Sequence, residues 1–255
     1  MRVLVCVKRV PAPGARISIT ADGQAVDTAY LAFTTSPHEE CAVEAAVQLV
    51  ELHGGESTVL TLGAAEADEQ LRYAASIGVN KAVLLAIDTA DWDPQRTAAA
   101  ITAAISELES TAGPFDLVLF GNESADSGNF QIGVRVAHAL ERPMVSGIKG
   151  IDVEGASIRA RRESDSGVEV YKVPMPCVLA VKEGINLPRY PTLKGRLASK
   201  KVEVAHYAPQ GEPGGQQMVT LLQAAEQASQ TVMLGHGAEA APAVVDLLEE
   251  LGLLK

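Results

Sequence analysis

FDLVLFGNESADSGNFQIGVRVAHAL, residues Phe115 to Leu140, reads as a buried strand, a glycine-bounded polar loop and a helix in immediate succession. Asp116 to Phe120 is a short apolar run of the kind buried in a parallel sheet, and the chain then turns at Gly121 into Asn122, Glu123, Ser124, Asp126 and Ser127. From Asn129 the apolar residues Ile132, Val136 and Leu140 recur at helical spacing, so the loop feeds a helix start. Free backbone N–H groups there, with the macrodipole behind them, suit a phosphate. An ordinary strand-to-helix loop capped by Ser or Asp has the same pattern. Gly121, Gly128 and Gly133 do not form G-x-G-x-x-G, and no G-x-x-x-x-G-K-[ST] occurs, which disfavours a standard dinucleotide or Walker site.

Upstream, the same alternation repeats. Arg2 to Val7 reads as a first central strand ending in a loop at Pro11 to Gly14, with Lys8 at the carboxyl end, where a lysine meets either a phosphate or a partner carboxylate, or is simply solvated. Ile17 to Thr20, the Asp22-Gly23 turn and Ala25 to Asp27 suggest a small hairpin. Ser36 as N-cap and Pro37 at the first helical position open a helix through Val43, Ala46, Val47 and Val50. Ser57 to Leu62 is a second strand, Ala65 to Ile77 a helix, Lys81 to Ile87 a third strand and Gln95 to Leu108 a helix. Strands and helices alternating to Leu140 predict an α/β fold, a parallel sheet covered on both faces.

Downstream, Val145 to Val153, Ser157 to Glu163, Val168 to Val173 and Cys177 to Lys182 are short β-rich runs that could extend the sheet with antiparallel strands. His206 to Gln217 reads as a polar arm, and Ala238 to Leu251 as a last helix that packs on its own domain or on a partner. The expected division is therefore an α/β domain over residues 1–205 and a C-terminal arm and helix over 206–255.

With 255 residues, 47% of them hydrophobic, the chain is long enough to bury a substantial core. A net charge of −11 argues against general nucleic-acid or anionic-membrane binding. Cys6, Cys41 and Cys177 have no metal or disulfide spacing, and the five histidines are scattered, so neither a metal site nor a hydrolytic constellation is indicated. The apolar run in MRVLVCVKRV is too short for a signal peptide, and no stretch approaches a membrane span. An intracellular protein is expected.

Residues Val178 to Val204, VLAVKEGINLPRYPTLKGRLASKKVEV, resist explanation as fold alone, because two prolines bracket Arg189 and Tyr190 before an exposed-looking Leu193 and a basic end. The segment resembles the signature region of the electron-transfer flavoprotein β-subunit (FixA) family. The start VLVCVKRVP, the SPHEECAVEAAVQL helix, the LTLG turn, RYAASIGVNKAVLL, the DLVLFGNESADSGNFQIG loop and the PMPCVLAV strand resemble their family counterparts in order and spacing.

The resemblance implies a Rossmann-like, adenine-nucleotide α-hydrolase-like domain that is an electron carrier subunit and not an enzyme by itself. It implies an α subunit as heterodimeric partner that holds most of the FAD, donor dehydrogenases such as acyl-CoA dehydrogenases, and a quinone reductase or other oxidoreductase as acceptor. Localisation would be cytoplasmic in a bacterium and the mitochondrial matrix in a eukaryote.

The family positions for a structural AMP fall on Cys6, on Ser36, Pro37, His38 and Glu39, on Leu62, and on Gly121, Asn122, Glu123, Ser124, Ala125, Asp126, Ser127, Gly128, Asn129, Phe130, Gln131 and Ile132. Groups near Cys6 and Leu62 would flank the adenine, Asp126 would meet the ribose, and the N–H groups of Asn129 to Ile132 the phosphate. Partner recognition would fall on Pro188, Arg189, Tyr190, Pro191, Thr192, Leu193 and Lys194, with Leu193 as the anchor. Glu163 stands where the family has a carboxylate facing the flavin domain of α.

Two departures stand out: the family's Asn-Gln-Thr run is Phe130, Gln131 and Ile132 here, which removes an amide and a hydroxyl, and Pro13 replaces an aromatic ring near the flavin. Alternatives are a bifurcating β subunit with a second FAD in the β site, and a stand-alone adenine-nucleotide sensor of the same fold.

Overall fold

The computed structural model describes residues 1–88, 92–209, 211–224 and 231–254. Strand β1 (Arg2–Cys6) sends Val3 and Val5 to one face and Leu4 and Cys6 to the other, the period of two that a strand buried on both sides requires. In chain order there follow β2 (Arg9–Pro11), β3 (Phe33–Thr35), helix α1 (Pro37–His53), β4 (Glu56–Gly63), α2 (Asp68–Ser76), β5 (Lys81–Ala86), α3 (Pro94–Ala112), β6 (Leu117–Gly121) and α4 (Ile132–Ala139). The second half contributes β7 (Met144–Glu154), β8 (Ser157–Ser164), β9 (Gly167–Pro174), β10 (Cys177–Val181), α5 (Leu193–Ser199), β11 (Val204–Tyr207) and α6 (Ala241–Glu250).

One nine-stranded sheet has the order β11-β5-β4-β1-β6-β10-β7-β8-β9, and β2 pairs with β3 apart from it. From β11 to β7 the pairings are parallel, and β8 and β9 add on antiparallel. On one face α1 and α2 cover the sheet with Ala42, Ala46 and Leu71; on the other α3 and α4 do so with Ile101, Ile105 and Val136. The mixed α/β fold with a mainly parallel sheet is thus the one expected.

Several local expectations are corrected. Cys177–Val181 is not an antiparallel addition: β10 lies inside the sheet, parallel to both β6 and β7, and its unbroken apolar run is what burial on both faces demands. The hairpin near Asp22 is reduced to a single bridge between Ile19 and Val26. Ser36 stands at the N-cap of α1, yet its side chain caps nothing there; the hydroxyl donates instead to the Glu123 carbonyl at 3.4 Å. Helix α3 starts at Pro94, because Asp93 accepts from the N–H groups of Gln95 and Arg96 at 2.8 and 3.0 Å. His206 and Tyr207, read as part of the arm, lie in β11 at the sheet edge.

The chain divides into two compact units, Met1–Leu221 and Leu222–Lys255. The second contains a 3₁₀ turn at Gly237–Ala240 and α6, on which Val244, Val245 and Leu247 are exposed. Of the expected arm and its continuation, residues 210, 225–230 and 255 lie outside the described residues.

Candidate functional site

From β1 the chain passes to β4 and β5 on one side and returns to β6 on the other, so the strand order reverses at β1. In open α/β sheets, ligands bind in the crevice outside the carboxyl ends at such a switch point. A cavity of about 750 Å³ lies there, with Cys6, Leu62 and Gly121 at the strand ends and the loop after β6 as its polar wall. That volume is within the range of small-molecule and cofactor sites.

The polar wall is braced from within. Lys8 Nζ meets Asp126 Oδ2 at 2.7 Å, one of the three fates expected of a strand-end lysine, and lies 3.4 Å from Ser127 Oγ. Asp126 Oδ1 accepts the Ser127 N–H at 2.7 Å, Ser124 and Ser127 share a hydroxyl hydrogen bond at 2.8 Å, and the Gly128 N–H donates to the Ser124 carbonyl at 3.0 Å. Burial pushes the Asp126 carboxyl up, but the Lys8 ammonium and the hydrogen bonds more than offset it and hold it below the ordinary value. Gly128 has φ +58°, a backbone that side chains rarely adopt.

Helix α4 begins at Ile132, not at Asn129: the Gln131 N–H is spent on the Asn129 carbonyl at 2.7 Å, and the first helical bond runs from the Arg135 N–H to the Gln131 carbonyl at 3.0 Å. The donors left free by helix geometry are therefore those of Ile132, Gly133 and Val134, all lining the cavity. Of the residues expected to offer N–H groups at the helix start, Asn129 to Ile132, only Ile132 is in the first turn of α4.

Of the residues expected around a nucleotide, Cys6, Glu39, Leu62, Gly121, Asn122, Glu123, Ser124, Asp126, Ser127, Asn129, Phe130 and Ile132 line the cavity. Ser36, Pro37, His38, Ala125, Gly128 and Gln131 do not. His38 acts as a tie: its Nδ1 accepts the Glu183 N–H at 2.7 Å, and its Nε2 lies 3.4 Å from Glu123. Sequence reasoning missed further lining residues: Trp92 and Ile101, before and on α3, and Met144, Ser146 and Gly147 on β7. The signal was present, since the chain's single tryptophan precedes Asp93-Pro94, a cap and first-turn pair that places it at the carboxyl end of β5.

Glu39 is strongly perturbed. It is 7% exposed, and Oε2 accepts the Lys8 N–H at 2.8 Å. Burial raises its carboxyl to about 8 against the opposing hydrogen bonds. Burial, with Glu39 nearby, also pushes the Cys6 thiol well up, which makes Cys6 a poor nucleophile.

A second surface is built around Arg189. Its guanidinium reaches Glu44 Oε1 at 2.9 Å and Glu51 Oε1 at 2.7 Å, and Glu44 is buried beneath it. Of the expected recognition residues, Leu193 and Lys194 open a helix: Thr192 Oγ1 caps α5 by accepting the Gly195 N–H at 3.0 Å. Leu187, Tyr190, Leu193 and Leu197 project from this region more than half exposed. Glu163, on β8, is paired with Lys149 at 2.5 Å and largely exposed.

Among the described residues no helix is long and apolar enough to cross a membrane. The family pattern described as the electron transfer flavoprotein domain matches residues 25–210. The chain is 35% identical over 167 residues to the electron transfer flavoprotein subunit beta of Bacillus subtilis, covering 65% of this chain and 63%, less than two thirds, of that protein. It is 34% identical over 206 residues to the protein of the same description from Syntrophomonas wolfei, covering 80% and 79%, and 32% identical over 208 residues to Protein FixA of Azorhizobium caulinodans, covering 80% and 74%.

Proposed function

The chain belongs to the electron transfer flavoprotein domain family, and from that premise we propose that it is the β subunit of a heterodimeric flavoprotein that accepts electrons from dehydrogenases and passes them to a quinone reductase or another acceptor. The observation that carries the reading is the cavity at the switch point, walled by a braced polar loop and the start of α4. It supports an adenine nucleotide held for structure, its phosphate toward the free N–H groups of Ile132, Gly133 and Val134. The flavin, held mainly by the α subunit, supplies the one- and two-electron chemistry. This chain's part is to complete the protein surface beside that flavin, and to present Tyr190 and Leu193 to the donor on a segment fixed by Arg189. Glu163 would exchange Lys149 for a cation of α. The expected compartment is the bacterial cytoplasm.

Co-expression tests the reading: with its α partner the chain should be recovered as a yellow heterodimer, and alone as a colourless protein of poor solubility. A stable, colourless monomer or homodimer that binds nucleotide and ignores α would favour the sensor reading instead. One observation favours the bifurcating variant, a second FAD in this chain: besides the polar loop, the cavity is lined by the apolar side chains of Trp92, Ile101 and Met144, which suits a ring system larger than adenine. Two FAD per heterodimer, and no AMP, would select it.

A further inference from the structure

Between β10 and α5, residues 183–191 make no backbone–backbone hydrogen bond among the described residues, so side-chain ties to α1 hold them. The ties fall at one offset. The Glu183 N–H donates to His38 Nδ1 at 2.7 Å, Asn186 Nδ2 to the Cys41 carbonyl at 2.9 Å, and the Arg189 N–H to Glu44 Oε2 at 3.2 Å. The Cys41 thiol donates back to the Asn186 carbonyl at 3.8 Å. Each pair is 145 residues apart, so segment and helix advance together, three residues at a time. Six residues of helix rise about 9 Å against about 20 Å for six extended residues, so the segment is wound to about half its length. Pro188 and Pro191 suit such a path, since neither has an N–H to leave unpaired.

The outward side chains keep the same step. Leu187 follows Asn186, Tyr190 follows Arg189 and Leu193 follows the capping Thr192, and the three are 89%, 90% and 76% exposed. Asn186 is the tie that folding needs least. Its Oδ1 is buried with no partner among the described residues, which offsets what its Nδ2 bond contributes, and the carbonyl that receives that bond lies inside α1, where helix geometry already supplies a donor.

We propose that Asn186 is a positioning residue for donor docking, holding the segment in step with α1 so that Leu187, Tyr190 and Leu193 are presented in one fixed arrangement. This rests on the reading of the segment as the donor's docking site and adds to it how an irregular stretch is ordered before the donor arrives. Order set in advance spares the complex the entropy cost of ordering it on contact.

The test uses the heterodimer co-expressed with its α partner and a dehydrogenase that reduces it, reading KM and kcat for the heterodimer as electron acceptor. Asn186→Leu keeps the volume and removes the bond. Its KM should rise about fivefold or more, the size of one hydrogen bond's net contribution, with kcat, flavin content and reduction by dithionite unchanged. The melting temperature should stay level or rise, because the unpartnered Oδ1 goes as well. A lower melting temperature with unchanged KM would mark a merely structural asparagine and overturn the proposal. Asn186→Ser, too short to reach the Cys41 carbonyl, is the second variant and should raise KM likewise; failure of both variants to assemble with α would assign Asn186 to the fold and also overturn it. Leu193→Ala in the same assay separates this inference from the reading beneath it. If it raises KM and the Asn186 variants do not, the positioning role falls and the docking site stands. If none of them raises KM, the docking reading falls and this inference with it.

Discussion

Glu39 leaves a mark on stability. Its carboxyl titrates near 4.5 when unfolded and about 8 when folded, so between those values the folded state carries a proton that the unfolded state has lost. Stability should therefore fall as pH rises across that window, by up to about 1.4 kcal/mol per unit and ~3–5 kcal/mol in all, and level off above it. In Glu39→Gln this part of the slope should vanish, as read from urea unfolding at a series of pH values; an unchanged slope would contradict the buried acid. In the loop after β6, Asp126→Ala removes both the partner of Lys8 and the acceptor of the Ser127 N–H, and Gly128→Val forces a branched side chain into φ +58° at ~1–2 kcal/mol of strain. Both should lower the nucleotide released on denaturation and the melting temperature, and unchanged values in both would place the site elsewhere. Lys8 could be read from the sequence as a strand-end cation, but not its partner, because Asp126 meets it only through the pairing of β1 with β6. Glu39 was named through the family resemblance alone, and its burial was hidden for a related reason. Ser36 to Glu40 looks like the acidic first turn of a solvated helix, and only the closeness of Gly121 buries it.

At the scale of elements, the segment carrying Arg189 and α5 separates fold from recognition. Arg189→Ala takes from the Glu44 carboxylate, 2% exposed at its side chain, its cationic partner, while the Gln48 amide and the backbone N–H of residue 189 still donate to it. The cost should be about 1–3 kcal/mol in denaturant unfolding, below that of a fully buried pair because the arginine is itself partly exposed. A loss below a few tenths would mean that the clamp holds nothing. Leu193→Ala, by contrast, touches no core and should leave stability and flavin content alone. If the leucine anchors the donor, electron transfer measured by stopped flow across donor concentration should weaken by ~1–3 kcal/mol in apparent affinity, and an unaltered concentration dependence would remove it as the anchor. The long elements were legible because pattern and punctuation agree: α1 opens on Ser36-Pro37, and the alternating faces of β1 already imply two cores. α5 was not, since seven residues flanked by Pro191 and interrupted by Gly195 are too few to show a period. The place of β10 within the sheet was lost because pairing order is not written in any one strand.

For the whole molecule, the parallel sheet predicted from the first 140 residues is the scaffold that brings Cys6, Leu62 and Gly121 to one edge, so the polar wall of the cavity was legible before any coordinates. The apolar lining was not, because Trp92 and Met144 come to one cavity from positions separated by about 50 residues of chain. The central claim is that this chain is one half of a flavin carrier and holds little flavin by itself. It is tested most directly by measuring FAD and AMP released on denaturation, per polypeptide, from the chain alone and from the heterodimer co-expressed with its α partner. The account predicts almost no flavin on the chain alone, and about one FAD with about one AMP per heterodimer. Stoichiometric, redox-active flavin on the chain alone, or a co-expressed complex without flavin, would contradict it.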